Sequence, residues 1–399
     1  MLENIQGYPV YGLHDDQTLH QFLDVMSRAE YGALMADGHL GYIMPIGGVA
    51  AYHNKVSPVS VGFDIGCGNL AVRLDLFKKD LDLDFLLDRI ENNLSFGIGQ
   101  TNPEAPKDHP LFDNHDWKAY GSHSRIADLK KLAREQLGTI GSGNHYVDIF
   151  YDENDRIWIG VHFGSRGLGH KTASGFMNLS QDRPWDVKAL EKEVLLDLNS
   201  DLGDRYYRAM RLSGAYAWAG REWVCEYVAK LADAPIVEKV HNHHNYAWKE
   251  THGDQQFIVV RKGATPAFPG QKSFVGGSMG DISVILDGVD GDESRRTLYS
   301  TVHGAGRVMS RRKAAGSYRG RGKKRRQVKP GAISREMMNE WLRKKNVTLR
   351  GGGLDESPHV YRRLTDVLNS HKNTISIKHR LTPLGVVMAG PDVFDPFRD

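Results

Sequence analysis

Predicted strands and helices follow one another irregularly along this chain. Helical periodicity is clearest over 80–93, 124–137, 184–232, 334–345 and 360–369. Runs rich in β-branched and aromatic residues predict strands at Val59–Gly62, Leu70–Leu74, Tyr146–Tyr151, Arg156–His162, Gln256–Val260, Ser283–Leu286 and Thr374–Ile377. Doubly wound sheets and βα-barrels need a regular alternation of strands and helices, so this order predicts an α+β fold.

Two of the helical stretches carry sharper predictions. We expect 184–232 to hold at least two helices, with a break near Leu212–Gly214. Ser334 precedes a periodic run and is a candidate N-cap for a helix over 334–345.

The composition is that of an ordinary globular chain. Of 399 residues, 40% are apolar and 25% are charged. No run approaches the ~18 apolar residues that a membrane span needs, and the N-terminal segment does not read as a signal peptide. Two cysteines, Cys67 and Cys225, cannot build a disulfide framework and suit a reducing compartment. We therefore expect a cytoplasmic protein; its length permits roughly two to three domains, but no linker marks a boundary.

Seven glycine-rich or polar segments lie near the ends of predicted strands. They read GHLGYIMPIGGVAAYH, VGFDIGCGN, GTIGSGNHYVD, VHFGSRGLGH, HNHHNYA, VGGSMGD and VHGAGRVMSRRK. Glycine allows close approach of the backbone to a ligand and positive φ angles. We expect these widely separated segments to build one shared site.

Positive charge is concentrated in one stretch. The net charge is +3, yet 303–329 holds eleven Lys and Arg residues and no acidic residue. The rest of the chain then carries 41 basic and 49 acidic residues, a balance of −8. Such a block favours contact with nucleic-acid phosphates. The alternative is a solvated loop, and GSYRGRGKKRRQVKPG is expected to be an exposed loop in either case.

The loops also hold residue types that bind divalent metal ions. Asp64 and Cys67 share a tight turn, and His145 and His162 lie in two further loops. His241, His243 and His244 cluster in another, and local spacing leaves open which of the three is a ligand. The set matches no zinc-finger spacing, but His, Cys and Asp together suit a borderline divalent ion, and a thiolate can bridge two ions. Each residue alone is more often structural.

The segment HGAGR at 303–307 is followed by VMSRRKAA, which reads as a helix. A glycine-rich turn at a helix start presents N–H groups to anions. Arg307 and Arg311, spaced i and i+4, are expected to hold phosphates on one face of that helix. His303 is a candidate general base, metal ligand or nucleophile.

Three further cations are phosphate candidates. Arg166 lies in GSRG, and Arg261 and Lys262 open a turn that fits a phosphate site or a plain surface turn equally well. These residues together favour phosphoryl or nucleotidyl transfer on a nucleic acid.

The motifs DIGCG, GTIGSGNH, HFGSRGLGH, HHNY, RKGAT, GSMG and HGAGRVMSR resemble, in the same order, those of the RtcB RNA ligases. The resemblance runs from about residue 40 to LTPLGVV. It implies a single domain over 1–399 and a GTP- and Mn²⁺-dependent enzyme that joins RNA 3′-phosphate or 2′,3′-cyclic phosphate ends to 5′-hydroxyl ends. The partners it implies are RNA and GTP, with an activating or repair-pathway protein as a further candidate, in RNA repair or tRNA splicing.

The resemblance also assigns residues. It makes His303 the histidine that is guanylylated before GMP passes to the RNA 3′-phosphate as RNA–ppG. The implied ligands of two manganese ions are Asp64, Cys67 (bridging), His145, His162 and His244. The implied guanylate contacts are Asn144, His145, Asp148, His244, Asn245, Gly276, Gly277, Ser278, Met279, Ser283, His303, Gly304, Ala305 and Gly306. Arg166, Arg307 and Arg311 are implied to hold RNA phosphates.

The chain departs from the family pattern at two positions. Asp148 stands where the family usually has Glu, and Met388 stands where the family's V-V-K-G has a guanylate-contacting Lys. Lys378, Arg380 and Arg398 are candidates to replace that lysine. The departures suggest a specialised paralogue for RNA repair.

Two other functions are compatible with parts of the pattern. A metal-dependent phosphoesterase for RNA ends would use the metal ligands without His303 as a nucleophile. A non-catalytic RNA-binding protein would use 303–329 alone.

Overall fold

The computed structural model describes residues 2–319 and 326–393, without the side chains of residues 319, 326 and 327. Its strands are β1 (Leu2–Ile5), β2 (Tyr8–Tyr11), β3 (Tyr31–His39), β4 (Ile46–Tyr52), β5 (Lys55–Val56), β6 (Gly68–Phe77), β7 (Tyr146–Tyr151), β8 (Arg156–Phe163), β9 (Leu196–Asp197), β10 (Ile236–His243), β11 (Asn245–His252), β12 (Gln255–Lys262), β13 (Ala264–Pro266), β14 (Lys272–Val275), β15 (Ser283–Gly288), β16 (Ser300–Val302), β17 (Gly316–Arg319), β18 (Arg326–Pro330), β19 (Thr348–Arg350) and β20 (Ile375–Met388). Its helices are α1 (Asp16–Met26), α2 (Pro58–Val61), α3 (Leu83–Asn93), α4 (His123–Gln136), α5 (Arg166–Leu179), α6 (Asp201–Leu231), α7 (Asp292–Arg296), α8 (Arg311–Ala315), α9 (Arg335–Lys345) and α10 (Leu364–Asn369).

An eight-stranded, mostly antiparallel sheet carries much of the site. Its order is β10-β6-β8-β7-β20-β15-β14, and β19 pairs with β20 in parallel. Gly68 at the start of β6 is opposite both Phe163 of β8 and His243 of β10. Tyr146 at the start of β7 is opposite His162. This register brings Cys67, His145, His162 and His244 together at one end of neighbouring strands.

A six-stranded sheet supplies the other wall, in the order β1-β2-β3-β4-β12-β11. Asp37 lies near the end of β3, and Asn245 opens β11. The backbone N–H of His244 donates to the Cys67 carbonyl (2.8 Å), so the short break between β10 and β11 is tied to the turn that precedes β6. The two sheets therefore meet where the predicted ligands lie, and the α+β prediction is confirmed.

Helix α6 is one continuous helix of 31 residues, so the predicted break near Leu212–Gly214 is wrong. Ser200 caps its N-terminus by accepting from Gly203 N–H. Gly214 is needed for close packing, because a Cβ there would lie 2.5 Å from Cε2 of the Tyr246 ring. Residues 184–195, predicted as part of this helical stretch, contain neither helix nor strand.

Other local predictions had mixed outcomes. Ser334 does cap α9, and the strand predicted at Tyr146–Tyr151 is β7. Val59–Gly62 was predicted as a strand, but Ser57 as N-cap and Pro58 at the first turn begin the short helix α2. HNHHNYA is not an open loop, since His241 and His243 lie within β10 and Asn245 begins β11.

The basic segment is only partly described. Gly316–Arg319 and Arg326–Pro330 pair as an antiparallel hairpin rather than the expected plain loop. Arg321, Lys323, Lys324 and Arg325 lie outside the described residues.

Among the described helices, none is long and apolar enough to cross a membrane.

Candidate active site

Five predicted metal ligands lie close together at the strand ends of the eight-stranded sheet. They form two groups, Asp64–Cys67–His145 and Cys67–His162–His244, in each of which the ligand atoms lie within 4.8 Å of one another. Sγ of Cys67 is 3.2 Å from Nε2 of His162 and 3.9 Å from Nε2 of His145. Both groups share Cys67, so its sulfur is within reach of either ligand set.

Hydrogen bonds set which imidazole nitrogens face the site. Nδ1 of His162 is 3.1 Å from the Asn144 carbonyl oxygen, to which it donates. Its Nε2 therefore keeps a lone pair toward Cys67 and lies 3.3 Å from Nε2 of His244. Burial lowers the pKa of His162 and of His244 well below the usual value, so both rings are neutral and able to bind a metal ion.

The two anionic ligand types differ in their electrostatics. Burial raises the pKa of Asp64, but its hydrogen bond and ion pair with His145 and the charge of Arg166 outweigh burial and hold that pKa below its usual range. Burial and the nearby Asp64 raise the pKa of the Cys67 thiol well above its usual value. A divalent cation would offset this cost by favouring the thiolate. The sulfur, imidazole and carboxylate donors fit a divalent first-row transition-metal ion.

His303 lies beside this cluster. Its ring centroid is 5.0 Å from that of His244. Its Nδ1 lies 2.5 Å from Oδ2 of Asp37, which is fully buried and also accepts from the backbone N–H groups of His303 (2.9 Å) and Gly304 (3.1 Å). Burial raises the pKa of Asp37, but the charge and hydrogen bonds of His303 outweigh burial and keep that pKa low. A proton on Nδ1, next to this carboxylate, would leave Nε2 of His303 with the available lone pair.

Two glycine-rich segments meet next to His303. A Cβ on Gly304 would lie 3.2 Å from the carbonyl oxygen of Gly276, and a Cβ on Gly276 would collide with the Tyr146 hydroxyl. The backbone N–H of Gly277 donates to Oγ of Ser283 (3.0 Å). Oγ of Ser278 is buried and makes no hydrogen bond within the described residues. A buried hydroxyl without a partner is costly, so it fits a contact to a bound ligand.

The match to known proteins follows the same segments. A sequence profile described as tRNA-splicing ligase RtcB matches residues 21–389. The chain is 30% identical to the tRNA-splicing ligase RtcB of Thermococcus kodakarensis, over 94% of this chain and 91% of that protein. It is 33% identical to the RNA-splicing ligase RtcB of Escherichia coli K12, over 71% of this chain and 75% of that protein.

The chain belongs to the RtcB family. The family and its curated members are described as RNA-splicing ligases, so the chain is a member of an RNA ligase family. The fold expected from the resemblance is consistent with this membership.

The remaining residues that the RtcB resemblance assigns to guanylate have different surroundings. Asn144 is exposed, whereas Oδ1 of Asn245 accepts from the backbone N–H of Gly263 (2.7 Å). Asp148 is buried, its Oδ1 has no partner within the described residues, and burial raises its pKa well above the usual value. Met279 and Ala305 are also buried, and Gly306 lies against the Asp37 carbonyl.

Met388 is the residue that the resemblance places where the RtcB family has a lysine. It is buried in an apolar cluster with Tyr146, Met279 and Val386. Lys378 and Arg380 lie ten and eight residues earlier on β20, roughly 25 Å or more away, and Lys378 pairs with Asp287. These two residues therefore do not replace the lysine at this position. Arg398 lies outside the described residues.

The three predicted phosphate-binding arginines have internal contacts. Nη1 of Arg166 lies 3.2 Å from Nδ1 of His145. Arg307 donates to Glu356 and Tyr361, and Arg311 pairs with Asp355 and Glu356.

The predicted helix across Arg307 and Arg311 is wrong, because Ser310 caps α8 and the helix begins only at Arg311. The two arginines meet at Glu356, with which both pair, instead of through i, i+4 spacing on one helix; Arg311 also pairs with Asp355.

Arg261 and Lys262 are not surface residues. Arg261 is fully buried and pairs with Glu250 (2.6 Å). This ion pair balances its charge, so a structural role explains the residue. Lys262 is also buried, and burial lowers its pKa to about 8. Its Nζ lies 3.5 Å from the Val59 carbonyl oxygen.

Sequence reasoning missed Asp37, which lies 266 positions from His303. The available signal was an acidic residue inside the otherwise small and apolar run of β3, Tyr31–His39.

Proposed function

We propose that the chain is a GTP- and Mn²⁺-dependent RNA ligase that joins 3′-phosphate or 2′,3′-cyclic phosphate ends to 5′-hydroxyl ends. The observation that carries this proposal is the position of His303. Its ring is held by the buried Asp37 beside a cluster in which two metal-ligand groups share Cys67.

His303 is the nucleophile of the first step. Its Nε2 attacks the α-phosphorus of GTP, a P–N bond forms, and pyrophosphate leaves. Asp37 holds the proton on Nδ1 and so keeps Nε2 available. The RNA 3′-phosphate then takes GMP from His303, which gives RNA–ppG and frees the imidazole. The 5′-hydroxyl of the second RNA attacks the activated phosphate, and GMP leaves. Water opens a cyclic phosphate before these steps.

The metal ligands are Asp64, Cys67, His145, His162 and His244. Two manganese ions bound there would neutralise the triphosphate and polarise its phosphorus centre. Ser278, Ser283 and the backbone of Gly276 to Met279 and Gly304 to Gly306 surround the nucleotide. Asn144, Asp148 and Asn245 are the polar contacts of the guanylate.

RNA contacts come from Arg166, Arg307, Arg311 and the basic segment 303–329. The charge of that segment supports binding to phosphates. We propose a role in repairing broken RNA ends, based on the Met388 and Asp148 departures. Ligation of broken rRNA or tRNA ends but not of splicing-type tRNA halves would support repair, and the reverse result would exclude it.

The deciding experiment is intact mass spectrometry after incubation with GTP and Mn²⁺. The wild type should gain one GMP, and His303→Ala should gain none. His379→Ala is a matched control, since His379 bonds to Glu153 away from the site and its loss should leave the adduct intact.

The phosphoesterase alternative predicts a different result. Manganese-loaded protein that forms no adduct with any nucleotide, yet opens or removes cyclic phosphate ends, would replace the ligase proposal.

A further inference from the structure

Arg221 is a fully buried residue of α6 whose guanidinium lies behind the metal-ligand cluster. Its Nε donates to Nε2 of His241 (2.9 Å), and its Nη2 lies 2.9 Å from Nδ1 of His243, which is also 2.9 Å from the Gly66 carbonyl oxygen. Its Nη1 donates to the carbonyl oxygens of Gly66 (2.9 Å) and Phe163. One planar group thus connects a helix to three segments that are distant in sequence.

Three of these four contacts are made to the immediate neighbour of a metal ligand. Gly66 precedes Cys67, Phe163 follows His162, and His243 precedes His244. Cys67, His162 and His244 are together one of the two ligand groups. The fourth contact is to His241, which lies two residues before His243 on β10 and stacks on Trp218.

We propose that Arg221 is a positioning residue of the metal centre. Its guanidinium fixes the chain beside Cys67, His162 and His244, and this sets the geometry in which the three side chains receive a divalent ion. The inference rests on the proposed two-ion centre but not on RNA ligation, GTP use or the role of His303.

The charge of Arg221 agrees with this role. Among the described residues no ion pair to a carboxylate involves Arg221, although an unpaired buried cation is costly. Burial lowers its pKa to about 10, so it stays protonated at neutral pH, and the charges that favour its protonated form include Cys67 and Asp64. Asp64 of the ligand set therefore supplies negative charge near the guanidinium, and Cys67 adds to it only as a metal-bound thiolate.

Geometry distinguishes arginine from lysine at this position. A guanidinium offers five N–H donors in a rigid plane, whereas an ammonium is a compact charge. An ammonium cannot hold two carbonyls and two imidazoles in the observed plane. We therefore expect Arg221→Lys to behave like Arg221→Met, despite its retained charge.

The test is a titration of the full-length, metal-free protein with Co²⁺ alone. Absorbance from thiolate-to-cobalt charge transfer reports Cys67 coordination, and equilibrium dialysis counts bound ions. Wild type should bind two ions. Both Arg221 variants should bind the ion of the Cys67–His162–His244 group about 10–100-fold more weakly, with a weakened sulfur–cobalt band.

Two further variants separate positioning from loss of folding. Arg261→Met removes another fully buried guanidinium, which pairs with Glu250 outside the ligand set, and it should leave cobalt affinity unchanged. His243→Phe removes the contact between residue 243 and Arg221 but keeps Arg221 itself. It should therefore weaken cobalt binding, and it provides the test if the Arg221 variants do not fold. His241→Phe removes the outer contact and should have no such effect.

Each result decides the inference. Wild-type affinity in Arg221→Met, or in His243→Phe when the Arg221 variants do not fold, would overturn it. Full rescue by Arg221→Lys would also overturn it, because charge alone would then suffice. A wild type that binds no Co²⁺ would instead remove the metal centre from the proposed function, and this inference with it.

Discussion

Oδ2 of Asp37 lies 2.5 Å from Nδ1 of His303, although 266 residues separate the two along the chain. The same carboxylate oxygen accepts the backbone N–H of His303 and that of Gly304. Asp37 therefore fixes both the ring and the turn that carries it, and Nε2 is the ring nitrogen left to react.

Asp37→Asn should slow formation of the GMP adduct about 10²–10⁴-fold, because an amide cannot hold the imidazole proton as a carboxylate does. The measurement is a time course of intact mass with GTP and Mn²⁺. Asp152→Asn is the matched buried-acid control: Asp152 accepts from Asn154, Arg156 and Trp158 at the β7–β8 turn. An unchanged rate in Asp37→Asn would refute the positioning of His303 by Asp37.

Cys67→Ala should lower the affinity for both metal ions by at least about 10-fold, since the sulfur belongs to both ligand groups. His145→Ala should lower the affinity only for the ion bound by the Asp64–Cys67–His145 group. Cys225→Ala is the matched control, because Cys225 is a buried free cysteine in an apolar cluster with Val224 and Val228. Ion counting by dialysis checks these outcomes, and two tightly bound ions in Cys67→Ala would show that the sulfur is not shared.

Asp148→Asn should make the protein more stable at neutral and alkaline pH and weaken GTP binding. Burial raises the pKa of Asp148 in the folded state above its unfolded value, so the native state holds its proton more tightly. Stability from this group is present at low pH and is lost as pH rises through the folded pKa. Removing the ionisation should add about 1–3 kcal/mol to the free energy of unfolding at about pH 8.

Urea unfolding at about pH 5 and about pH 8 measures the effect of Asp148→Asn. The pH-dependent loss of stability should shrink in the variant. Asp152→Asn should be destabilising at both values, because it weakens three hydrogen bonds that are already made. Equal destabilisation by both variants would contradict the account of Asp148.

Met388→Lys should tighten GTP binding roughly 10–100-fold, because a charged hydrogen bond contributes about 1.5–3 kcal/mol. The variant should also lose stability, since the ammonium enters the apolar cluster of Tyr146, Met279 and Val386. Calorimetry with GTP and ATP in a His303→Ala background measures binding without transfer. Met388→Leu keeps the cluster apolar and should leave affinity unchanged; no gain from lysine would place residue 388 out of reach of the nucleotide.

Local signals predicted well those features that neighbouring residues determine. Ser334 begins α9 because its side chain satisfies Met337 N–H, and an alternating run gives β7. The prediction failed at Gly214, where a glycine that breaks an isolated helix instead admits the Tyr246 ring. The ligand residues were recognisable from their chemistry, but the choice of His244 over His241 and His243 needed the family resemblance.

Asp37 and Arg221 could not be assigned from the sequence because their partners are far away along the chain. Gly66 lies 155 residues from Arg221. The weak signal for Arg221 was its place on the apolar stripe of α6, between Ala217 and Val224. A charged residue on such a stripe indicates a buried partner without saying which one.

Strand β20 lies between β7 and β15, inside the eight-stranded sheet, although it spans residues 375–388. During synthesis the sheet therefore cannot be completed until β20 has left the ribosome, because β20 joins the part that contains β7 to the part that contains β15. A chain stalled before residue 375 would leave the inner edges of β7 and β15 unpaired, and such edges attract strands of other chains. Translational stalling should thus convert this protein into an aggregation-prone fragment, even though nearly all of its metal and nucleotide residues have already been made.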